Sequence, residues 1–141
     1  MSVGTTATVD AVVDGVYLGG AIAPGPHFWT QALAEGTARL PPVLPAIESW
    51  IIGKNTEQAI RAGVGQRFVS MVRGLIENTR GTIGKDAEVI LTGGWSRRLH
   101  PYLGIPARLE TRLTLEGLRY ADEWLHAAQG KSPEEIEDAT S

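Results

Sequence analysis

The 141-residue sequence predicts a single α/β lobe in which a mixed sheet is flanked by helices. A hairpin opens the chain, because Asp14-Gly15 separates two runs of β-forming residues at 8–13 and 16–22. A later segment, 55–79, repeats apolar residues at helical spacing. With 43% hydrophobic residues, the chain can bury one core of this kind.

The segment that leads into the hairpin has the composition of an anion site. Gly4 supplies a flexible backbone N–H, and the hydroxyls of Thr5, Thr6 and Thr8 add donors with no acid among them. Donors of this kind bind phosphate, so these four residues form the predicted phosphate site. Because threonine also favours strands, a threonine-rich strand without a ligand is the alternative interpretation.

Two helices are predicted between the hairpin and the next strand. The first covers 27–40, and the second begins after Asn55, an N-cap residue with Gln58 three positions on. The apolar stripe of the second helix consists of Ile60, Val64, Phe68, Met71 or Val72, and Leu75. Gly63 and Gly65 weaken this helix, and we expect a neighbouring strand to pack closely against them.

A strand, a glycine turn and a short helix are predicted in succession from residue 88. Residues 88–91 read as a buried strand, and Gly93 and Gly94 end it before the helical segment 95–99. Such glycines let a ligand approach the backbone at the start of the helix, although an ordinary tight turn is the alternative. Trp95 is expected either to stack on a ligand or to cover the core.

The C-terminal part is predicted to hold a strand, a helix and a tail. The strand covers 107–109, and Thr114 is the expected N-cap of the last helix. The buried face of that helix is predicted to consist of Leu115, Leu118, Ala121, Leu125 and Ala128. Residues 130–141 are acidic and poor in large apolar groups, so the lobe is expected to span 1–129 and the rest to be a solvated tail.

Composition narrows the class of protein. The absence of cysteine excludes a disulfide framework, and no apolar stretch approaches the length of a membrane span, so a soluble cytoplasmic protein is expected. A net charge of −3 without a basic cluster argues against a nucleic-acid surface. His27, His100 and His126 lack metal-ligand spacing, and His27 is expected to be structural.

Six short motifs follow one another along the chain, and their order is more specific than any one of them alone. They are Gly-Thr-Thr-Ala-Thr-Val-Asp at 4–10, Gly-Gly-Ala-Ile-Ala-Pro-Gly at 19–25, Thr-Ala-Arg-Leu-Pro at 37–41, Gly-Lys-Asn-Thr at 53–56, Thr-Gly-Gly at 92–94 and Leu-Thr-Leu-Glu-Gly-Leu at 113–118. In this order the chain resembles the C-terminal half of the type III pantothenate kinase family, which belongs to the acetate and sugar kinase/Hsp70/actin superfamily. The first motif departs from the family pattern only in the swapped order of Thr6 and Ala7.

The resemblance implies a ribonuclease H-like (actin-like ATPase) lobe and roles for named residues. The implied ATP-phosphate ligands are Gly4, Thr5, Thr6 and Thr8, the implied nucleotide contacts are Gly93 and Gly94, and the implied pantothenate contact is Thr37. For Thr37, a hydroxyl that only caps a helix end is the alternative. The implied cofactors are ATP, Mg²⁺ and a monovalent cation, K⁺ or NH₄⁺. Ser2 stands where the family has an aspartate associated with that cation, so the cation site would need a ligand from elsewhere.

No catalytic residue is expected in this chain. The first phosphate motif and the aspartate implied as base belong to the family's N-terminal half, which has no counterpart here. Asp14 is committed to the hairpin turn, and Asp10 has no clear role. The chain is therefore expected to be one subunit of a split pantothenate kinase, in a complex with two copies each of this chain and an N-terminal-half partner.

Two other interpretations stay open at this point. A non-catalytic regulator resembling the Bvg accessory factors would share the fold without the activity. A truncated or engineered fragment would share the sequence without a natural partner.

Overall fold

The computed structural model describes residues 1–129, and the predicted tail at 130–141 lies outside them. The strands are β1 (Ser2–Val3), β2 (Thr6–Val13), β3 (Val16–Pro24), β4 (Ile90–Leu91) and β5 (Arg108–Leu109); the helices are α1 (Pro26–Gly36), α2 (Thr56–Ile83), α3 (Ser96–Leu103) and α4 (Leu113–Gln129). The predicted α/β class is confirmed. One compact unit covers Met1–Thr111, and a second begins at Arg112.

The β2–β3 hairpin is the longest paired element in the described chain. Asp14 and Gly15 both have positive φ, at 51° and 79°, as expected of a two-residue turn that matches the twist of the strands. The ladder pairs Ala11 with Gly19 but Val12 with Tyr17, so one residue of β3 is left over in a bulge. β2 buries Ala7, Val9 and Ala11 and turns its even-numbered residues to the other face.

β1 makes the sheet mixed. It pairs antiparallel with β2 through Ser2 and Thr8, and on its other side it bridges in parallel to Thr92. The Met1 amino group donates to the Ile90 carbonyl at 2.8 Å, and β4 pairs in parallel with β5. The glycine turn after β4 therefore lies beside the residues that lead into the hairpin.

The core lies between this sheet and helix α2. Asn55 caps α2 by accepting from the Gln58 N–H at 2.9 Å, and the helix contributes Phe68 and Val72 to the core. Of the predicted stripe, Ile60, Val64, Phe68 and Val72 are buried, whereas Met71 and Leu75 are only partly so. The helical period of the sequence thus identified the buried face.

Two expectations about close packing on α2 need correction. A Cβ at Gly65 would come within 2.5 Å of the Ala46 carbonyl oxygen, so the close neighbour is the extended connector before α2 rather than a strand. Gly63 has open space around it. The sequence pattern could not distinguish them because both glycines interrupt the helix in the same way.

Helix α4 also differs from expectation. It begins at Leu113, which places Thr114 inside the helix rather than at its N-cap. Leu115, Leu118, Ala121 and Leu125 are exposed, Leu115 by 66%, so these four residues of the predicted buried face are not buried. An amphipathic pattern predicts a helix but does not specify what covers it. Within residues 1–129, no helix is long and apolar enough to cross a membrane.

Candidate functional site

The residues at 3–5 lie between two turns that contain glycine. On one side, the Gly25 N–H donates to the Thr5 carbonyl at 3.0 Å. On the other, the Val3 N–H donates to the Thr92 carbonyl and the Trp95 N–H donates to the Val3 carbonyl, both at 2.9 Å. Backbone hydrogen bonds therefore bring the predicted phosphate residues together with the turn after β4.

Glycine is required in both turns because the backbones approach so closely. A Cβ at Gly25 would overlap the carbonyl oxygens of Gly4 and Thr5, and a Cβ at Gly93 would overlap that of Val3. Gly93 also has φ of 94°, which side chains rarely adopt. Gly94 is exposed and has open space around it, so it leaves room for a ligand.

Two helices begin beside these turns. α1 starts at Pro26, directly after Gly25, and α3 starts at Ser96, directly after Trp95. Neither has an acidic residue in its first turn, so the positive end of each helix dipole is uncompensated there. Helix starts beside exposed hydroxyls favour an anion at this place.

The donors of the predicted phosphate site are not equally free. The Gly4 N–H donates to the Thr6 carbonyl at 2.8 Å, and the Thr8 hydroxyl donates to the Asp10 carboxylate at 3.2 Å. Thr5 and Thr6 are exposed, and their hydroxyls have no hydrogen-bond partner among the described residues. The free hydroxyl donors for an anion are therefore those of Thr5 and Thr6.

Trp95 covers the core rather than offering its face to a ligand. It is buried, and its ring meets Phe68 and His27 edge to face, with centroids 6.2 and 5.9 Å apart. The Arg98 guanidinium lies 5.1 Å from the Trp95 ring centroid. Of the two alternatives for this residue, the structure supports the core role.

Thr37 ends helix α1. Its hydroxyl donates to the Leu33 carbonyl at 2.7 Å and accepts from the Leu40 N–H at 3.3 Å. The side chain is exposed, and one lone pair of the hydroxyl is left for an outside donor. In this arrangement Thr37 can accept from a ligand but is not free to donate.

An apolar groove between α1 and α2 was not predicted from the sequence. Its volume is about 540 Å³, and Trp29, Leu33, Leu40, Ile60 and Val64 are among its walls. The Arg67 guanidinium covers the Trp29 ring at 4.4 Å from its centroid. The spacing of Trp29 and Leu33, one helical turn apart, was a signal that could have indicated this face.

Charged groups lie at the ends of strands β1 and β5. Hydrogen bonding to Glu88 at 2.8 Å, with a smaller contribution from Glu110, raises the pKa of Arg108 further and ties β5 to the segment before β4. Burial lowers the pKa of the Met1 amino group, and the charge of Asp10 opposes that change. Within residues 1–129, no three acidic or histidine side chains cluster so as to hold a metal ion.

The sequence of this chain matches one family of known proteins. The family model for type III pantothenate kinase matches residues 1–78. The type III pantothenate kinase of Thermomicrobium roseum is 38% identical over 128 residues, which are 90% of this chain and 49% of that protein. The enzyme of the same name from Moorella thermoacetica is 41% identical over 117 residues, covering 82% of this chain and 46% of the relative.

A solved structure shows the fold independently. The crystal structure of a conserved putative Baf family transcriptional activator from Campylobacter jejuni matches with a TM-score of 0.57 and 21% identity, over 84% of this chain and 53% of that one. The chain spans about half the length of the curated relatives it matches. The family model, the relatives and the joined motifs lead to one conclusion: this chain belongs to the type III pantothenate kinase family.

Proposed function

We propose that this chain is the ATP-binding half of a pantothenate kinase, which transfers the γ-phosphate of ATP to pantothenate in the first step of coenzyme A biosynthesis. The observation that carries the proposal is the meeting of residues 3–5 with the turns at Gly25 and Gly93. In-line phosphoryl transfer depends on neutralising phosphate charge, and two helix starts beside free hydroxyls supply that.

Each predicted residue has a place in this proposal. Gly4, Thr5, Thr6 and Thr8 line the phosphates, with Thr5 and Thr6 as hydroxyl donors. Gly93 and Gly94 contact the nucleotide, and Thr37 contacts pantothenate. The lobe is of the ribonuclease H-like type, and the second lobe that encloses ATP comes from the family's N-terminal half.

The base for the attacking hydroxyl lies on that other half. No acid stands among residues 4–9, and Asp10 already accepts from Thr8 and Tyr17. We therefore assign the base to a separate partner chain that corresponds to the N-terminal half of the relatives, with two copies of each chain in the complex.

The metal ions implied by the family fit this chain unequally. Mg²⁺ accompanies ATP and prefers oxygen ligands, and the Asp10 carboxylate with the Thr8 oxygen is a donor set of that kind. When bound, Mg²⁺ would neutralise phosphate charge. For the monovalent cation, Ser2 offers a hydroxyl and no charge, so the partner must supply the rest of that site.

A regulator without kinase activity is the weaker candidate. The Campylobacter jejuni protein is described as a transcriptional activator, but at 21% identity the likeness speaks for the fold alone. The free hydroxyls of Thr5 and Thr6 would donate to phosphate in a kinase, whereas a regulator without kinase activity has no need of such donors.

Removing the threonine hydroxyls tests the proposal. Thr5→Ala combined with Thr6→Ala should lower kcat of the assembled enzyme by about 100-fold or more, the scale of losing a preorganised donor, while circular dichroism stays unchanged. Thr82→Ala is the matched control, since that hydroxyl bonds only within α2. Pantothenate-dependent ADP release that is equal in all three proteins would refute the phosphate assignment.

A further inference from the structure

Asp10 is the motif residue that the proposed function does not place against the phosphates. Its carboxylate stands on the face of β2 opposite the core, and both of its oxygens accept hydrogen bonds. The Thr8 hydroxyl donates to Oδ2 at 3.2 Å, and the Tyr17 hydroxyl donates to Oδ1 at 3.4 Å. The carboxylate therefore connects a residue of the phosphate site to the returning strand.

The bulge in the hairpin makes this arrangement possible. A regular ladder would pair Val12 with Leu18 and turn Tyr17 toward the other face of the sheet. The observed ladder pairs Val12 with Tyr17, which puts the phenol on the same face as Asp10. Gly19 sits at the bulge with φ of 104°, a conformation that a side chain would resist.

The Asp10 side chain is exposed. Its partner across the ladder is Gly20, where a Cβ would overlap the Val9 carbonyl. No side chain from that position can shield the carboxylate or compete for Thr8. The hydroxyls of Thr8 and Tyr17 are its hydrogen-bond partners among the described side chains.

A threonine hydroxyl has one proton and two lone pairs, so its partner decides its role. Because Asp10 takes the proton, the Thr8 oxygen presents lone pairs to its surroundings. An oxygen that only accepts is suited to the cationic side of a nucleotide, namely the waters held by its magnesium ion. It is unsuited to the phosphate oxygens, which themselves accept.

We infer that Asp10 is a positioning residue, which fixes the Thr8 hydroxyl as an acceptor beside the phosphates and is itself held by Tyr17. This rests on the proposed function for what Thr8 faces, but the positioning itself does not depend on activity. Thr5 and Thr6 then donate to phosphate while Thr8 accepts, so the threonines of one motif divide two tasks.

The positioning can be measured without turnover. In the full 141-residue chain with ¹³C-labelled threonine methyl groups, the Thr8 methyl shift should report one side-chain rotamer, and Asp10→Ala should replace it by an average over rotamers. Asp10→Asn keeps an oxygen acceptor and should preserve the rotamer. The Thr82 methyl is the internal reference. An identical Thr8 rotamer distribution in the wild type and Asp10→Ala would overturn the inference.

The role in the reaction is tested by kinetics of the assembled enzyme. Asp10→Ala should raise KM for ATP about tenfold, the size expected of one charge-assisted hydrogen bond, and leave KM for pantothenate nearly unchanged. Asp10→Asn should recover most of that loss, and Asp86→Asn controls for removing one exposed acid outside the hairpin.

A double-mutant cycle separates positioning from general electrostatics. Asp10→Ala should cost nothing further in a Thr8→Val background, because its effect passes through that hydroxyl. Additive losses would overturn the inference. An inactive wild-type complex would instead count against the proposed function, while the methyl measurement would still decide whether Asp10 orients Thr8.

Discussion

Gly93 and Gly94 are neighbours in the chain that meet different surroundings. Gly93 lies against the Val3 carbonyl with φ of 94°, whereas Gly94 has no atom within 4 Å of where a Cβ would stand. The first glycine is therefore required by the packing of β1 against the turn. The second is not required by packing, so any cost of replacing it should come from a ligand.

Substituting Gly93 and Gly94 separately distinguishes a requirement of packing from a requirement of ligand binding. Gly93→Ala should lower the free energy of unfolding by about 2 kcal/mol or more, because the strain of a positive φ and the overlap with the Val3 backbone both destabilise the folded state. Gly94→Ala should change stability by less than about 1 kcal/mol but raise KM for ATP. Urea denaturation and ADP release measure the two quantities. Equal stability losses would contradict the different packing.

Thr37 presents a hydroxyl whose proton is already used. Thr37→Val should raise KM for pantothenate more than KM for ATP, because a site built around a hydroxyl is penalised when it vanishes. Thr37→Ser keeps the bonds to Leu33 and Leu40 and should restore KM. If both KM values rise equally in Thr37→Val, the residue acts as a helix cap and not as a substrate contact.

At the predicted phosphate site, the sequence identifies the segment but does not distinguish the roles of its individual residues. Composition singled out residues 4–8 as the predicted phosphate site, because few other residue types donate without carrying charge. It could not separate Thr5 and Thr6 from Thr8, because the choice depends on strand alternation and on Asp10 two residues away. The role of Asp10 was hidden for the same reason: Tyr17 reaches it only through the bulge.

Among the helices and strands, α2 contains two glycines, Gly63 and Gly65, whose replacement by alanine should have opposite effects on stability. Gly63→Ala should raise the free energy of unfolding by roughly 0.5–1 kcal/mol, since alanine favours the helix and the space is open. Gly65→Ala should lower it, because the new methyl group would meet the Ala46 carbonyl. Thermal melts of both variants measure the signs. A stabilised Gly65→Ala would mean that the connector does not pack there.

Elements fixed by local chemistry were predicted well, and elements fixed by distant partners were not. The Asp14-Gly15 turn and the Asn55 cap each depend on residues within a few positions, and both are confirmed. Strand 88–91 shortened to Ile90–Leu91, because its pairing depends on β5 and on Met1 far along the chain. Helix 27–40 ends at Gly36, since Thr37 is extended.

At the scale of the whole molecule, apolar side chains on the hairpin lack cover. Val12, Val16, Leu18 and Ile22 are exposed, and Ile22 is 79% exposed on a strand that ends the three-stranded sheet. An exposed edge with apolar groups is a place where another chain adds. In the split enzyme that we propose, the N-terminal-half partner is expected to pack there.

The partner is tested by measuring mass and activity together. Alone, the 15.1 kDa chain should self-associate and release no pantothenate-dependent ADP with ATP and Mg²⁺. Co-expressed with an N-terminal-half chain, it should form a defined complex with two copies of each and phosphorylate pantothenate. Size-exclusion chromatography with light scattering and a coupled ADP assay measure both.

A pair of lysine substitutions locates the contact in that complex. Ile22→Lys should weaken it, because a buried charge without a partner is costly. Ile52→Lys should leave it intact, since this 85% exposed residue of the connector lies outside the hairpin. A monodisperse, active chain without the partner would defeat the split arrangement. A defined but inert complex would favour the regulator, and equal effects of the two lysines would exclude the hairpin as the contact.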